Sequence, residues 1–128
     1  IHKNQMYFCP MYSSELIKGT LKTIVLSLLA KHGRMYGYEI TQHVKEQTEG
    51  KIQLTEGALY PLLHRLEAEG LLLTEKENIG KRVRKYYTLT KDGTEQSVSL
   101  VAEFRAFSKT MTNLLDNFIQ KPQPQWLN

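Results

Sequence analysis

At Gly70 the hydrophobic period of this chain changes, and that change narrows the architectures open to it more than any other feature. Before Gly70, apolar residues recur at helical spacing. Leu16, Leu21, Ile24, Val25, Leu28 and Leu29 form one wide stripe from Ser14 to about His32. HGRMYG reads as a turn with Gly33 as its C-cap. A second helix, roughly Tyr38 to Gln47, turns Ile40 and Val44 inward and Glu39, Gln42, His43, Lys45 and Glu46 to water. TEGKIQ is a polar connection, and a third stripe follows in Leu59, Leu62, Leu63 and Leu66. After Gly70, LLLTEKE and RVRKYYTLT read as strands around the turn ENIGK. In the second of them Val83, Lys85, Tyr87 and Leu89 point one way and Arg84, Tyr86 and Thr88 the other. The expected fold is mostly α with a small β-hairpin. Three helices and then a hairpin is the order of a winged helix-turn-helix, whose third helix enters the DNA major groove with the hairpin beside it.

The third helix carries an oddity. Thr55 is placed to cap it and Gly70 to end it, yet Pro61 lies beyond its first turn. An internal proline removes a backbone hydrogen bond and costs about 3 kcal/mol. The face opposite the leucines carries Glu56, Gly57, Ala58, Tyr60, Pro61, His64 and Arg65. Gly57 and Ala58 are small enough to admit a duplex closely. Tyr60 and His64, as i, i+4 neighbours on the outer face, can donate to phosphates or base edges. A merely solvated face would show the same polarity, but alanine would serve it better than Pro61 does.

The hairpin concentrates charge. Lys81, Arg82, Arg84, Lys85 and Lys91 lie between Asn78 and Lys91 with no acidic residue among them, and Tyr86 and Tyr87 stand alongside. Such a run suits phosphate contacts or an arginine in a minor groove. Lysines that protect an edge strand from aggregation would look alike. The net charge of +4 and pI near 9.2 lean towards a polyanionic partner.

Thr90 can cap a final helix from about Lys91 to Ile119. Along it Leu100, Phe104, Phe107, Met111, Leu114 and Phe118 follow a heptad seam. A winged helix does not require such a helix to complete its core, so the seam is expected to meet a second subunit. Folding back on its own domain and lining a ligand pocket are the alternatives.

An enzyme is not expected. His2, His32, His43 and His64 are scattered, Cys9 is the single cysteine, and no nucleophile stands beside an evident base. There is no phosphate-binding glycine loop. No catalytic residue, metal site or cofactor is expected. No apolar run reaches the roughly 18 residues of a membrane span, and Leu21 to Ala30 is broken by Lys22, Thr23 and Ser27. IHKNQMYFCP lacks the apolar centre of a signal peptide, and one cysteine suits a reducing cytosol, so a cytoplasmic location is expected. The expected division is a tail at 1–12, a DNA-binding domain at 13–92, a dimerisation helix at 93–120 and a flexible tail at 121–128.

Three segments, LIKGTLKTIVLSLLAKHGRMYGYEI, LTEGALYPLLHRLEAEGLL and RKYYTLTKDG, in that order, resemble the PadR-like transcriptional regulators. The resemblance runs from about Leu16 to Gly93. It rests on Leu16, Lys18, Gly19, Thr20 and Leu21, the Tyr-Gly-Tyr-Glu segment, the Leu-Tyr-Pro helix and the Tyr-x-Leu-Thr strand, and it makes Pro61 a shared device. It implies a winged helix-turn-helix dimer built through the C-terminal helix with help from the first, usually a repressor. Its DNA contacts would be Tyr38, Thr55, Ala58, Tyr60, Pro61 and His64 with Lys81, Arg82, Arg84 and Lys85 of the wing. In some compact, multidrug-sensing members an aromatic residue of the C-terminal helix stacks on flat, often cationic compounds between subunits. Phe104 holds the matching position here, with less stacking surface than tryptophan and no indole N–H. The resulting expectation is a cytoplasmic homodimeric repressor that binds an inverted-repeat operator in double-stranded DNA and is released by a flat aromatic effector. The alternatives are a ligand-binding dimer with weak DNA affinity, and a protein-interaction dimer whose hairpin is only solubilising.

Overall fold

The computed structural model describes residues 11–119 and Trp126. Most of the expected N-terminal tail, and the expected flexible tail at 121–128 apart from an exposed Trp126, lie outside the described residues.

The first apolar stripe forms two helices where one was expected, α1 (Ser14–Lys18) and α2 (Leu21–His32). The break has a local cause. The Thr20 amide and hydroxyl both donate to the Ile17 carbonyl, at 2.8 and 2.9 Å, and close a tight turn after Gly19. Leu16 is therefore 66% exposed, whereas Leu26, outside the expected stripe, is fully buried. Gly33, at φ +80°, ends α2.

HGRMYG contains more than a turn. Met35–Tyr36 form β1, which leads directly into α3 (Gly37–Gln47), followed by α4 (Glu56–Ala68). The Thr55 hydroxyl accepts from the Ala58 amide at 3.2 Å and caps α4. Gly70, at φ +79°, lets the Leu71 amide reach back to the Leu66 carbonyl and the Gly70 amide to that of Glu67, which closes the helix.

Strands β2 (Leu72–Ile79) and β3 (Arg82–Leu89) pair antiparallel with Ile79 opposite Arg82, so the turn is only Gly80–Lys81, shorter than ENIGK. Gly80, at φ +61°, supplies the left-handed first position that a two-residue hairpin of this hand requires. On its other side β3 pairs with β1, Met35 opposite Tyr87 and Tyr36 opposite Tyr86. The hairpin thus belongs to a three-stranded sheet ordered β1-β3-β2.

Helix α5 (Lys91–Phe118) is capped by the Thr90 hydroxyl, which accepts from the Gly93 amide at 3.0 Å. Thr90 also donates its amide to the Leu71 carbonyl (3.0 Å) and its hydroxyl to the Gly70 carbonyl (2.7 Å). The end of α4 and the start of α5 are tied through one residue. Val25, Leu26 and Leu29 of α2, Ile40 of α3, Leu59, Leu63 and Leu66 of α4, and Met35, Leu72 and Tyr87 of the sheet close one core. Near its start α5 joins that core, with Gly93 and Ser97 buried and Leu100 packed against it. The result is a winged helix, mostly α with one small sheet.

Candidate nucleic-acid interface

Helix α4 buries Leu59, Leu62, Leu63 and Leu66 and leaves Ala58, Pro61, His64 and Arg65 exposed. Thr55 is exposed, with its hydroxyl engaged as the cap. Helix α4 continues through Pro61, and the carbonyl that loses its amide partner is that of Gly57. A side chain at Gly57 would meet nothing within 4 Å, so this stretch of backbone faces open space. Pro61 and Ala58 also edge a cavity of about 470 Å³ that extends to Ile17 and Leu21.

Tyr60 departs from the outward position expected of it. It is half-buried against the core, with its hydroxyl against Gly37 at the start of α3. A β-carbon at Gly37 would lie 2.4 Å from that oxygen, so the missing side chain there gives the ring its place.

The basic hairpin separates into two kinds of residue. Lys81 and Arg82, at and beside the turn, are exposed and have no ion-pair partner among the described residues. Lys85 is half-buried and pairs with Glu67 at 3.5 Å. The Glu67 carboxyl is held below the ordinary range, first by the Thr74 hydroxyl that donates to it at 2.6 Å and then by Lys85. Arg84 lies over the Tyr36 ring, 4.0 Å from its centroid, and the neighbouring Tyr86 hydroxyl favours its protonated form. Tyr38, exposed in the first turn of α3, shares a cleft of about 500 Å³ with Tyr36, Arg82, Val83 and Arg84. The structure thus brings Tyr38, Arg82 and Arg84 together and sets Lys85 apart on Glu67.

One residue of this surface escaped the sequence reading. Arg34, just before β1, lies over the Tyr86 ring at 3.7 Å, reaches Glu75 at 2.9 Å and also pairs with Glu77. Its signal was the period of two that places Arg34 and Tyr36, Arg84 and Tyr86, and Glu75 and Glu77 on one sheet face.

On α5, Phe104, Phe107, Leu114 and Phe118 are exposed, while Leu100 and Met111 are half-buried. Phe104 also walls a cavity of about 490 Å³ with Ile24, Leu28, Val44 and Ile52. His32 and His43 line the same cavity, their ring centroids 4.5 Å apart. Among the described residues no group of three histidines, cysteines or carboxylates is placed to hold a metal, and no helix is long and apolar enough to cross a membrane.

The fold that places this helix and hairpin is shared with solved proteins. A transcriptional regulator from Clostridium thermocellum superposes with a TM-score of 0.73 at 30% identity, over 78% of this chain and 97% of its own. A PadR family transcriptional regulator from Eggerthella lenta gives a TM-score of 0.67 at 36% identity, over 79% and 82%. The transcriptional regulator Rv3488 of Mycobacterium tuberculosis is 37% identical over 62 residues, 48% of this chain and 51% of that protein. The model of the transcriptional regulator PadR-like family matches residues 25–98, which hold α3, α4 and the wing entire. The chain belongs to the PadR-like family of transcriptional regulators.

Proposed function

We propose that this chain is a homodimeric, cytoplasmic repressor that binds an inverted-repeat operator through α4 and the hairpin tip. The observation that carries the reading is the joint exposure of Ala58, Pro61 and His64 on α4 with Lys81 and Arg82 on the wing. Helix α4 enters the major groove, Tyr38 and Arg82 meet the adjoining backbone, and sequence is read by the α4 face. Thr55 and Tyr60 support this surface by capping the helix and by filling the space over Gly37. Lys85 and Arg84 contribute field more than direct contact, since each already holds a partner.

The dimer forms along α5. Phe107, Leu114 and Phe118 expose an apolar stripe of the kind that a second copy buries. Replacing Leu114 and Phe118 together by glutamate is expected to leave the fold intact and yield a monomer by sedimentation. A dimer that persists in that variant would rule out the seam.

A flat aromatic effector is read into the Phe104 cavity, whose mostly apolar lining also includes Thr23, Ser27, Lys31, Gln47 and the two histidines. Its binding releases DNA by favouring a different spacing of the two recognition helices. That cavity also favours a second reading, a ligand-binding dimer with only weak DNA affinity.

The deciding experiment is fluorescence anisotropy with a labelled duplex from the promoter upstream of the protein's own coding region, titrated with salt and competed with unrelated DNA. Binding that survives competitor and weakens steeply with salt supports the repressor. Binding equal for every sequence supports the second reading.

A further inference from the structure

The outward face of the sheet carries an interlocked set of side chains that neither helix packing nor direct DNA contact explains. Two arginines, Arg34 just before β1 and Arg84 of β3, cross over two tyrosines. Arg34 lies over Tyr86 of β3 and continues to Glu75 and Glu77 of β2, so it spans the whole sheet from its β1 edge. Arg84 of β3 lies the opposite way, over Tyr36 of β1. The two rings meet edge to face, with centroids 5.5 Å apart and planes at 80°. Each arginine is thus sandwiched into a neighbouring strand, and the chain of contacts runs Arg34, Tyr86, Tyr36, Arg84 without a gap.

The mechanical meaning follows from what else holds the wing. The hairpin pairs β2 with β3 along eight residues each, but β1 supplies only two. Beyond Tyr36 the chain turns into α3, and the outer part of the hairpin, from Lys76 to Lys85, has no third strand beside it. A two-stranded ribbon of this kind is marginal alone and is free to twist. Arg34 bridges into that outer part, pairing with Glu75 at the last three-stranded row and with Glu77 two residues turnward along β2. Its charge is matched there by two carboxylates, so it adds little to the field that a duplex would meet.

We infer that Arg34 is a positioning residue for DNA binding: through Tyr86, Glu75 and Glu77 it fixes the angle of the wing, and so the place of Lys81 and Arg82 relative to α4. The inference rests on the DNA-binding reading above and adds to it a residue that touches no DNA. It makes a distinction that charge counting misses. A cation that contacts phosphate releases counterions when it binds, so its loss flattens the dependence of affinity on salt by about one unit of slope. A cation that only orients the wing lowers affinity and leaves that slope as it was.

The test compares the unaltered protein with Arg34→Ala, the double variant Glu75→Gln with Glu77→Gln, and Arg82→Ala as the phosphate-contact reference. Each is titrated by anisotropy against the promoter duplex over a range of salt, and amide hydrogen exchange of β2 and β3 is measured without DNA. Arg34→Ala and the Glu double variant are both expected to bind roughly fivefold more weakly with an unchanged slope, and to exchange faster from Glu75 to Lys85. The double variant removes two negative charges, so a purely electrostatic effect would strengthen binding; weaker binding marks the lock. A slope lowered in Arg34→Ala as much as in Arg82→Ala overturns the inference, because Arg34 would then be a contact. Unchanged affinity or unchanged exchange overturns it too. Failure of the unaltered protein to bind its promoter sinks the DNA reading instead, and the exchange data then report on the lock alone.

Discussion

The Tyr60 hydroxyl of α4 rests on the backbone of Gly37, at the first turn of α3. Three atoms of the ring system would lie between 2.4 and 2.8 Å from a β-carbon at that position. Helices α3 and α4 therefore meet through a ring on one and an absent side chain on the other.

Gly37→Ala is expected to destabilise the protein by about 1–3 kcal/mol, the usual cost of forcing extra volume into a packed site. In a Tyr60→Ala background the same change becomes neutral or mildly stabilising, because alanine is the better helix residue once the ring is gone. Urea unfolding of the four proteins gives the coupling directly. Independent, additive effects would mean that the ring moves aside at little cost.

The division of the wing into exposed and paired cations predicts unequal salt effects. Arg82→Ala and Lys81→Ala are each expected to lower the salt slope of operator binding by about one. Lys85→Ala, whose amine already pairs with Glu67, is expected to change that slope little. Titrations at several salt concentrations distinguish them. A full unit lost with Lys85 would show that DNA displaces Glu67.

Glu67 gives a pH dependence with a definite sign. Its folded carboxyl is held below the ordinary carboxylate range, first by the Thr74 hydroxyl and then by Lys85. A depressed folded value contributes stability that is fully present above the unfolded value and is lost as pH falls through the folded one. Thr74→Val removes the leading cause. Its deficit relative to the unaltered protein in urea unfolding is expected to be present near pH 7 and to shrink by about pH 3. A deficit constant across that range would locate the effect in packing.

Gly93 stands where the C-terminal helix crosses the exit of α4. A β-carbon there would come 2.1 Å from the Leu71 carbonyl oxygen, and that oxygen belongs to backbone that cannot step aside cheaply. Gly93→Ala is expected to cost about 2 kcal/mol or more, read from thermal or urea unfolding. A neutral result would mean that α5 can slide along its own axis without strain.

Much of this molecule was legible as pattern. The leucines of α4, the caps at Thr55 and Thr90, the stops at Gly33 and Gly70 and the alternation of β3 all follow from spacing and local chemistry. What escaped depends on residues distant in sequence. Strand β1 is two residues long, too short to show a period, and exists because β3 offers it a partner. Tyr60 lies at the margin of the leucine stripe, and the choice between core and solvent was made by Gly37 in another helix. Lys85 reads as part of a basic run until Glu67, eighteen positions earlier, is seen beside it. The break at Gly19 and Thr20 is the local exception: it came from a hydroxyl competing for a helix carbonyl three residues back, which an apolar stripe does not encode.

The knot at Thr90 has a geometric consequence. It joins the exit of α4 to a helix of 28 residues, which at about 1.5 Å per residue makes an arm roughly 42 Å long. An arm pinned at one end works as a lever: a tilt of about 5° carries its free tip through about 4 Å. Run in reverse, the lever divides. A shift of a few ångströms between paired tips in the proposed dimer reaches the reading helix as a rotation of a few degrees, so gross motion at one end becomes fine adjustment at the other.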